Sequence, residues 1–130
     1  MNTTIKYLSS NLTKSEANRI YQDLLLLFEN EKIYQEKDLC LKSVADRLAT
    51  NTKYLSQVIN TRTKDNFQVF LNHFRIQEFQ VRLLNGEARL FTLYGLAQEC
   101  GFNNRSTFYR SFKEVTGQTP KEYFSLRSAA

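Results

Sequence analysis

The chain has 130 residues, a formal net charge of +5 and an apolar content of 42%. These values exclude an intrinsically disordered tail and suit one domain or two small subdomains. Proline occurs once and glycine four times, and no alternating strand pattern of useful length is present, so the composition predicts an all-α protein.

Positive charge is concentrated in the later part of the chain. Residues 1–50 hold seven Lys/Arg and seven Asp/Glu, whereas residues 51–130 hold eleven and six. A one-sided excess of this kind favours a polyanionic partner, and nucleic acid is favoured over a membrane surface.

Two isolated cysteines, Cys40 and Cys100, argue against metal and disulfide chemistry. Neither has a second cysteine or a histidine nearby in the sequence, so we expect no metal and no cofactor. Free thiols fit the reduced cytoplasm. The sequence shows no signal-peptide pattern, and its longest apolar run, Leu24–Phe28, is far too short to cross a bilayer.

The first predicted helix covers about residues 14–32. Thr13 and Glu16 stand at the spacing of a capping box, in which a hydroxyl group and a carboxylate satisfy the first backbone amides. Apolar residues then recur at helical spacing, at Ile20, Leu24, Leu27 and Phe28. The helix is almost neutral, so a packing role is favoured over a binding role.

A helix-turn-helix is predicted at residues 41–60. Each of its two helices carries one apolar stripe, formed by Leu41, Val44, Ala45 and Leu48 and by Leu55, Val58 and Ile59. The polar turn between them is only Ala49–Asn51. Two short amphipathic helices joined by so short a turn must pack on each other.

A longer helix is predicted over residues 66–85, ended by Gly86 in the position where a left-handed residue closes a helix. It is apolar on more than one face, with Phe67, Phe70, Leu71, Phe74, Ile76, Phe79, Val81, Leu83 and Leu84. Such a helix is buried on two sides, so we expect a strut between two bodies. Within it, His73 has no catalytic partner at a suitable spacing. Arg75 is expected to pair or to reach a backbone carbonyl group, with a phosphate contact as the alternative.

The earlier pattern returns as a second helix-turn-helix at residues 92–116. Apolar positions of the first copy recur at an offset of 52 in the first helix and 53 in the second, at Leu93, Leu96, Ala97, Phe108 and Phe112. Phe102 is expected to fill the space between the two helices, and Gly101 to supply the positive φ that the turn needs. A capping box at residues 119–122 begins a last helix.

The second helix of this copy has two different faces. On a helical wheel of residues 104–116, Phe108, Phe112 and Val115 fall within one narrow arc, and the other side carries Ser106, Tyr109, Arg110 and Lys113. A helix with an apolar back and such a front has the chemistry to enter a DNA major groove, where Arg bonds guanine bidentately and Gln or Asn suits adenine. The first copy presents Lys53, Ser56, Gln57 and Asn60. Both copies are therefore equipped to read bases.

The stretch GFNNRSTFYRSFKEVTGQTPKEY resembles the signature of the AraC/XylS family of bacterial transcription regulators. That signature runs Gly-Phe, polar residues, Phe, Arg-x-Phe-Lys, and then Gly, Pro and Tyr. The resemblance covers about residues 38–127 and includes VADRLATNTKYLSQVIN in the first copy. It implies a DNA-binding domain at residues 38–130, in which two helix-turn-helix subdomains joined by a rigid linker helix place their second helices in successive major grooves of double-stranded DNA.

Carried over by position, the resemblance implies two sets of DNA contacts. The base-reading residues would be Lys53, Ser56, Gln57, Arg105, Ser106, Tyr109 and Arg110. The residues that contact the DNA backbone would be Asn51, Asn60, Asn104 and Lys113, together with the free amides of helix N-termini.

Two positions of the first copy depart from the family pattern. Cys40 replaces the usual Ser or Thr helix cap, and Ala49 stands where Gly or Asn is commoner. A lost cap is worth about 1 kcal/mol. The first subdomain is therefore expected to be the less stable of the two.

Residues 1–37 lie outside the shared domain and resemble the juncture to an upstream sensor, which is often membrane-anchored. We therefore expect the C-terminal part of a longer regulator, located in the cytoplasm or at the cytoplasmic end of a membrane-anchored protein. The missing upstream region is a route to dimerisation. The resemblance also admits RNA polymerase as a partner and gives no small-molecule site in this chain.

Sequence-specific DNA binding for transcriptional regulation, without catalysis, is the function that these patterns favour. The alternative is a helical protein-interaction module that keeps the helix-turn-helix frame and docks a partner protein. An enzyme is disfavoured because no nucleophile–base pair, metal cluster or phosphate loop appears in the sequence. Cys100 is expected to be a small buried filler rather than a redox switch.

Overall fold

The computed structural model describes residues 11–89 and 91–128, and within these ranges the chain is helical without strands. The helices are α1 (Lys14–Glu29), α2 (Leu41–Arg47), α3 (Thr52–Thr63), α4 (Phe67–Leu84), α5 (Leu93–Glu99), α6 (Arg105–Thr116) and α7 (Pro120–Ser128), with 3-10 turns at Ile33–Gln35 and Glu87–Arg89. The predicted all-α class, with two helix-turn-helix motifs, a long linker helix and an additional N-terminal helix, is confirmed.

The described residues divide into two compact units. The first unit contains the described part of Met1–Ile33 together with Asp38–Phe70. The second contains Tyr34–Lys37 together with the described part of Leu71–Ala130. The helix α4 therefore contributes about one turn to the first unit and its remaining turns to the second.

The first unit has an apolar core to which three helices contribute. Both α1 and α2 pack on α3, and the rings of Phe28 and Phe70 lie 5.0 Å apart. The buried side chains of these three helices are Ala17, Ile20, Leu24, Phe28, Val44, Ala45, Leu55, Val58 and Ile59. The apolar stripes of the sequence thus point inward as helical periodicity predicts.

Polar contacts fasten α1 to the first helix-turn-helix. The Arg19 guanidinium donates to the carbonyl oxygen of Leu48 (3.1 Å). From α3, Arg62 donates to the side chain of Asn18, and its guanidinium carbon lies 5.0 Å from the centre of the Tyr21 ring. The N-terminal helix is therefore an integral part of the first unit.

The helix ends show which local signals were sufficient. The Thr13 hydroxyl accepts from the amide of Glu16 (3.1 Å), as predicted. At the last helix the capping box is complete, because the Thr119 amide donates to the Glu122 carboxylate (2.9 Å) and the Glu122 amide donates to the Thr119 hydroxyl (3.2 Å). The expected end of α1 at residue 32 was wrong by three residues, since Lys32 already has a left-handed φ of 51°.

The two unusual positions of the first helix-turn-helix behave differently. Cys40 caps α2 in extended conformation, and part of the cap is restored because its amide donates to the Ser43 hydroxyl (3.1 Å). Ala49 adopts a φ of 54° in the turn. A side chain in the left-handed region is strained by about 1–2 kcal/mol, so the strain of this turn lies at Ala49.

We expect Ala49→Gly to raise the free energy of unfolding by about 0.5–1 kcal/mol. Glycine removes the left-handed strain, and the greater freedom of the unfolded glycine chain offsets part of the gain. Urea unfolding followed by circular dichroism measures the change. The matched control is Gly117→Ala, at a φ of 78° with no atom near an added Cβ, which should lose about 1–2 kcal/mol. A loss of stability in Ala49→Gly would contradict the assignment of strain.

The second unit is built around a cluster of aromatic rings. The Phe79 ring lies 4.9 Å from that of Phe108 and 5.4 Å from that of Phe112, and Phe102 lies 5.3 Å from Phe108. The buried members of this core are Ile76, Phe79, Leu83, Leu96, Ala97, Cys100, Phe102, Phe108, Phe112 and Tyr123. The expected packing of Phe102 between the two helices, and of Cys100 as a buried filler, is confirmed.

One member of the predicted apolar arc was wrong. Val115 is 39% exposed, whereas Ser111 is buried and takes the place next to Phe108 and Phe112 on the inner face of α6. A serine side chain is small enough to lie inside that face. The helical wheel sorted residues by polarity, and it therefore placed the apolar Val115 inside.

The four-residue segment 34–37, called the strap below, belongs to the second unit although it precedes the first helix-turn-helix in the chain. Arg75 holds it. The Arg75 guanidinium donates from Nε to the carbonyl oxygen of Tyr34 (2.7 Å) and from Nη2 to that of Glu36 (2.8 Å). Burial lowers the pKa of Arg75 to about 10, so it stays protonated at neutral pH. Of the two expected roles, reaching backbone carbonyl groups is the one observed.

Side chains on α4 and in the second turn also grip the strap. The Glu78 carboxylate accepts from the Tyr34 hydroxyl and from the side-chain amide of Gln35, both at 3.2 Å. Asn103 donates from its side chain to the carbonyl oxygen of Lys37 (3.4 Å). Burial, and then the charge of Glu78, raise the pKa of the Tyr34 phenol above its ordinary value, which keeps this phenol a hydrogen-bond donor.

Gly101 is required for two separate reasons. Its φ is 115°, as the turn prediction anticipated in sign. In addition, a Cβ at this position would lie 2.2 Å from the carbonyl oxygen of Tyr34 and 2.6 Å from Nε of Arg75. The strap passes directly over the turn, and only a residue without a side chain leaves room for it.

Candidate nucleic-acid interface

The helix α6 is fixed at both ends and along its inner face. Asn104 precedes it and accepts from the Thr107 amide (2.9 Å). Gly117 follows it with a left-handed φ of 78° and donates its amide to the carbonyl oxygen of Lys113 (2.8 Å). Phe108, Ser111 and Phe112 are buried, so the opposite face of α6 points to solvent.

All five predicted contact residues of α6 lie on its solvent side. The exposed set is Arg105, Ser106, Tyr109, Arg110 and Lys113. The last four of these have the three- and four-residue spacing of one helical face. The Tyr109 ring remains 43% exposed although it contacts the ring of Phe108 at 5.4 Å. The helix therefore presents hydroxyl, phenol and cationic groups together.

The helix α3 has the same construction in the first unit. Asn51 caps it by accepting from the Tyr54 amide (2.8 Å), and Lys64 closes it in left-handed conformation. Lys53, Ser56 and Asn60 are exposed, and Gln57 is half-buried. The structure thus brings the predicted contact residues of the first helix-turn-helix to one side of α3.

Asn51 and Asn104 both serve as helix caps. In each case the side-chain oxygen is engaged inside the chain, while the amide nitrogen carries two further N–H donors. These donors lie beside the free backbone amides at the N-termini of α3 and α6, where anions are favoured. The caps therefore combine a structural role with the chemistry for holding a phosphate group.

Both α3 and α6 are positively charged. The sequence of α3 contains Lys53 and Arg62 and no acidic residue. The sequence of α6 contains Arg105, Arg110 and Lys113 against Glu114 alone. In contrast, α1 carries two basic and three acidic residues. The positive charge predicted for the later part of the chain is therefore carried in part by these two helices.

The sequence interpretation missed Tyr94. The guanidinium carbon of Arg105 lies 4.7 Å from the centre of the Tyr94 ring, within the range of a cation–π contact. Comparing the two repeats was the signal that could have found it, because the offset of 52 aligns Tyr94 with Lys42. An aromatic side chain thus stands where the first copy has a cation.

The described part of the chain holds no grouped metal ligands and no helix suited to a membrane. Among residues 11–89 and 91–128, no three His, Cys, Asp or Glu side chains are grouped as a metal site would require. Burial raises the pKa of the Cys100 thiol to about 12, so this thiol is unreactive at neutral pH. None of the described helices has the length and apolar character needed to cross a membrane.

A family model described as a helix-turn-helix domain matches residues 44–125. The match covers well over half of the chain and includes α3, α4, α5 and α6 entirely. Both α3 and α6 therefore lie inside the matched range.

Curated relatives match a similar part of the chain. An uncharacterised HTH-type transcriptional regulator of Staphylococcus aureus strain MSSA476 is 30% identical over 98 residues, which are 75% of this chain and 13% of the relative. A regulator of the same description from strain MRSA252 gives the same identity and coverage. The chain thus spans about an eighth of the length of these relatives.

Solved structures share the fold. A Listeria innocua protein of unknown function superposes with a TM-score of 0.71 at 27% identity, covering 82% of this chain and 96% of that one. The C-terminal domain of AraT, a response regulator from Geobacillus stearothermophilus, gives a TM-score of 0.66 at 25% identity, covering 85% and 84%. The C-terminal domain of the response regulator yesN from Fusobacterium nucleatum gives 0.63 at 25% identity, covering 81% and 93%. Together with the signature in its second repeat, these matches show that the chain belongs to the AraC-type helix-turn-helix family.

Proposed function

We propose that the chain binds double-stranded DNA at specific sequences to regulate transcription, with α3 and α6 as the two reader helices. The observation that carries this proposal is the shared construction of the two helices. Each has a buried apolar face, an asparagine cap and a solvent face of polar and cationic side chains. Relatives named as transcriptional regulators support the same function.

The side chains on the two readers suit direct recognition of bases. An arginine at the position of Arg110 can donate two hydrogen bonds to the N7 and O6 acceptors of guanine. Ser106 and Tyr109 offer hydroxyl groups one turn apart on the same face of α6. In the first unit, Lys53 and Gln57 supply a guanine-type and an adenine-type contact, with Ser56 between them.

Contacts to the DNA backbone would hold the readers in register. Asn51 and Asn104 stand at helix N-termini, where a phosphate group meets several N–H donors at once. Lys113 lies two turns along α6 and Asn60 two turns along α3. These four residues are proposed to position the helices without reading sequence.

Selection from random duplexes is the experiment that tests the proposal. We expect one sequence class to be enriched, and footprinting to show two protected major-groove segments about one helical turn (~34 Å) apart. The affinity should fall with salt, with a log–log slope of about −0.9 for each phosphate neutralised. Binding that ignores salt, or a pool without enrichment, would contradict the proposal.

The variant Arg110→Ala is expected to lose about 1–3 kcal/mol of binding free energy and to relax the preference at one base position. Lys113→Ala is the matched control on the same face, and it should weaken all duplexes alike and reduce the salt slope by about 1. Competition binding to the selected duplex and its single-base variants measures both effects. An unaltered DNA affinity in Arg110→Ala would favour the alternative, a helix-turn-helix frame that docks a partner protein.

A further inference from the structure

Arg105 has an unusual position for a cation. It is the first residue of α6, and the N-terminus of a helix is the positive end of the helix dipole. Among the residues that the structure describes, no carboxylate forms an ion pair with it. Its guanidinium instead lies over the Tyr94 ring at 4.7 Å, whose negative face attracts a cation.

The Tyr94 ring is a fixed platform. Tyr94 is the second residue of α5 and packs, partly buried, against the aromatic core of the second unit. The start of α5 is itself held, because the Thr92 hydroxyl accepts from the Gly95 amide (2.9 Å). An exposed arginine stacked on such a ring has fewer conformations than one extending into solvent.

The aligned positions of the first unit hold a different pair. The repeat offsets align Tyr94 with Lys42 and Arg105 with Thr52. Lys42 forms an ion pair with Asp46 one turn along α2 (2.7 Å). The ring–guanidinium pair at these repeat positions is therefore specific to the second unit, and the contact of Arg62 with the Tyr21 ring in the first unit involves the last turn of α3 instead.

We propose that Tyr94 is a positioning residue that determines how the second reader contacts DNA, by holding the Arg105 guanidinium flat on its ring. With one face covered, the in-plane N–H groups of Arg105 are directed at a pair of acceptors outside the protein. Such a pair is offered by the N7 and O6 edge of guanine or by two oxygens of a phosphate group. This inference rests on the function proposed above and assigns a role to a residue of α5 rather than of the reader helix.

A double-mutant cycle on the selected duplex tests the role of Tyr94. An exposed cation–π contact corresponds to a factor of about two to five in an equilibrium constant. We expect Tyr94→Leu to weaken binding by about that factor, Tyr94→Phe to leave it unchanged, and Tyr94→Leu to have no further effect in an Arg105→Ala background. An equal loss in both backgrounds would show that the ring acts through the fold and would overturn the proposal.

The same variants distinguish the two kinds of acceptor. If Arg105 reads guanine, Tyr94→Leu flattens the preference at one base position. If Arg105 holds a phosphate group, Tyr94→Leu weakens binding equally for all duplexes. The magnitude of the log–log salt slope then decreases by less than the value of about 0.9 that one phosphate contact contributes. Either pattern supports the positioning role, and the absence of both overturns it.

The contact can also be measured without DNA. Protons of the Arg105 side chain that lie over the Tyr94 ring should show upfield NMR shifts, retained in Tyr94→Phe and lost in Tyr94→Leu. Absence of these shifts would show that the Arg105 side chain does not lie over the Tyr94 ring, and the proposal would fail. Failure of the duplex selection, in contrast, would defeat the proposed function while the NMR result stood, so the two failures are distinguishable.

Discussion

Gly101→Ala is expected to lower the free energy of unfolding by about 3–5 kcal/mol, the largest loss that we expect from any single methyl group in this chain. Two terms add: about 1–2 kcal/mol for a side chain at positive φ, and about 1–3 kcal/mol for forcing extra volume into a packed site. The volume term is at its upper end here, because the added Cβ would meet backbone at 2.2 Å and the strap would have to move.

The matched control for this variant is again Gly117→Ala. Gly117 has a positive φ of 78°, and no atom lies within 4 Å of an added Cβ, so only the conformational term of about 1–2 kcal/mol applies. Urea unfolding of both variants, with amide hydrogen exchange on α6, measures the difference. Equal losses in the two variants would mean that the strap does not restrict the space at Gly101.

Arg75→Ala is expected to lower the free energy of unfolding by about 2–4 kcal/mol. The substitution leaves the carbonyl oxygens of Tyr34 and Glu36 without their donor, and each unsatisfied group that stays buried costs about 1–3 kcal/mol. Part of that cost is relieved where Glu36, whose residue is exposed, gains water. The strap should then be held less firmly. Relative to the unsubstituted protein, Arg75→Ala should speed amide hydrogen exchange in the strap more than in α4.

Two further variants separate the roles of charge and geometry at this position. Arg75→Lys keeps the charge, but a single ammonium group does not reproduce the planar fork that reaches two carbonyl oxygens, so an intermediate loss is expected. Arg62→Ala removes an exposed arginine and should lose less than about 1 kcal/mol. Urea unfolding orders the three variants, and an Arg75→Ala loss no larger than that of Arg62→Ala would contradict the role of Arg75.

Sequence patterns predicted the helices because their signals are local. The predicted caps at Thr13 and Thr119 use hydrogen bonds between residues three apart, and helical periodicity places apolar residues on one face. The repeat identified Phe108 and Phe112 as core residues by position. These features depend on spacing in the chain, which the sequence displays directly.

The features that sequence reasoning missed depend on contacts between distant residues. Arg75 and Tyr34 are 41 positions apart, and the local sequence around either residue does not indicate that the other is its partner. Gly101 was predicted as a turn residue. Its second role, leaving space for the strap, can be recognised only when the path of the strap is known. Tyr94 was missed because its counterpart in the first copy is a lysine, Lys42, and because its partner Arg105 belongs to another helix. The predicted DNA contacts are exposed except for the half-buried Gln57, and their roles remain predictions.

The strap also constrains the order in which the protein can fold during synthesis. Residues 34–37 emerge from the ribosome long before their partners, since Asn103 follows Lys37 by 66 positions. Until α4 and the second turn have been made, the strap has nothing to bind, and bringing such distant segments together carries a loop-closure entropy. The strap therefore stays without its partners until the chain has been translated through Asn103, and the second unit becomes complete only after that point.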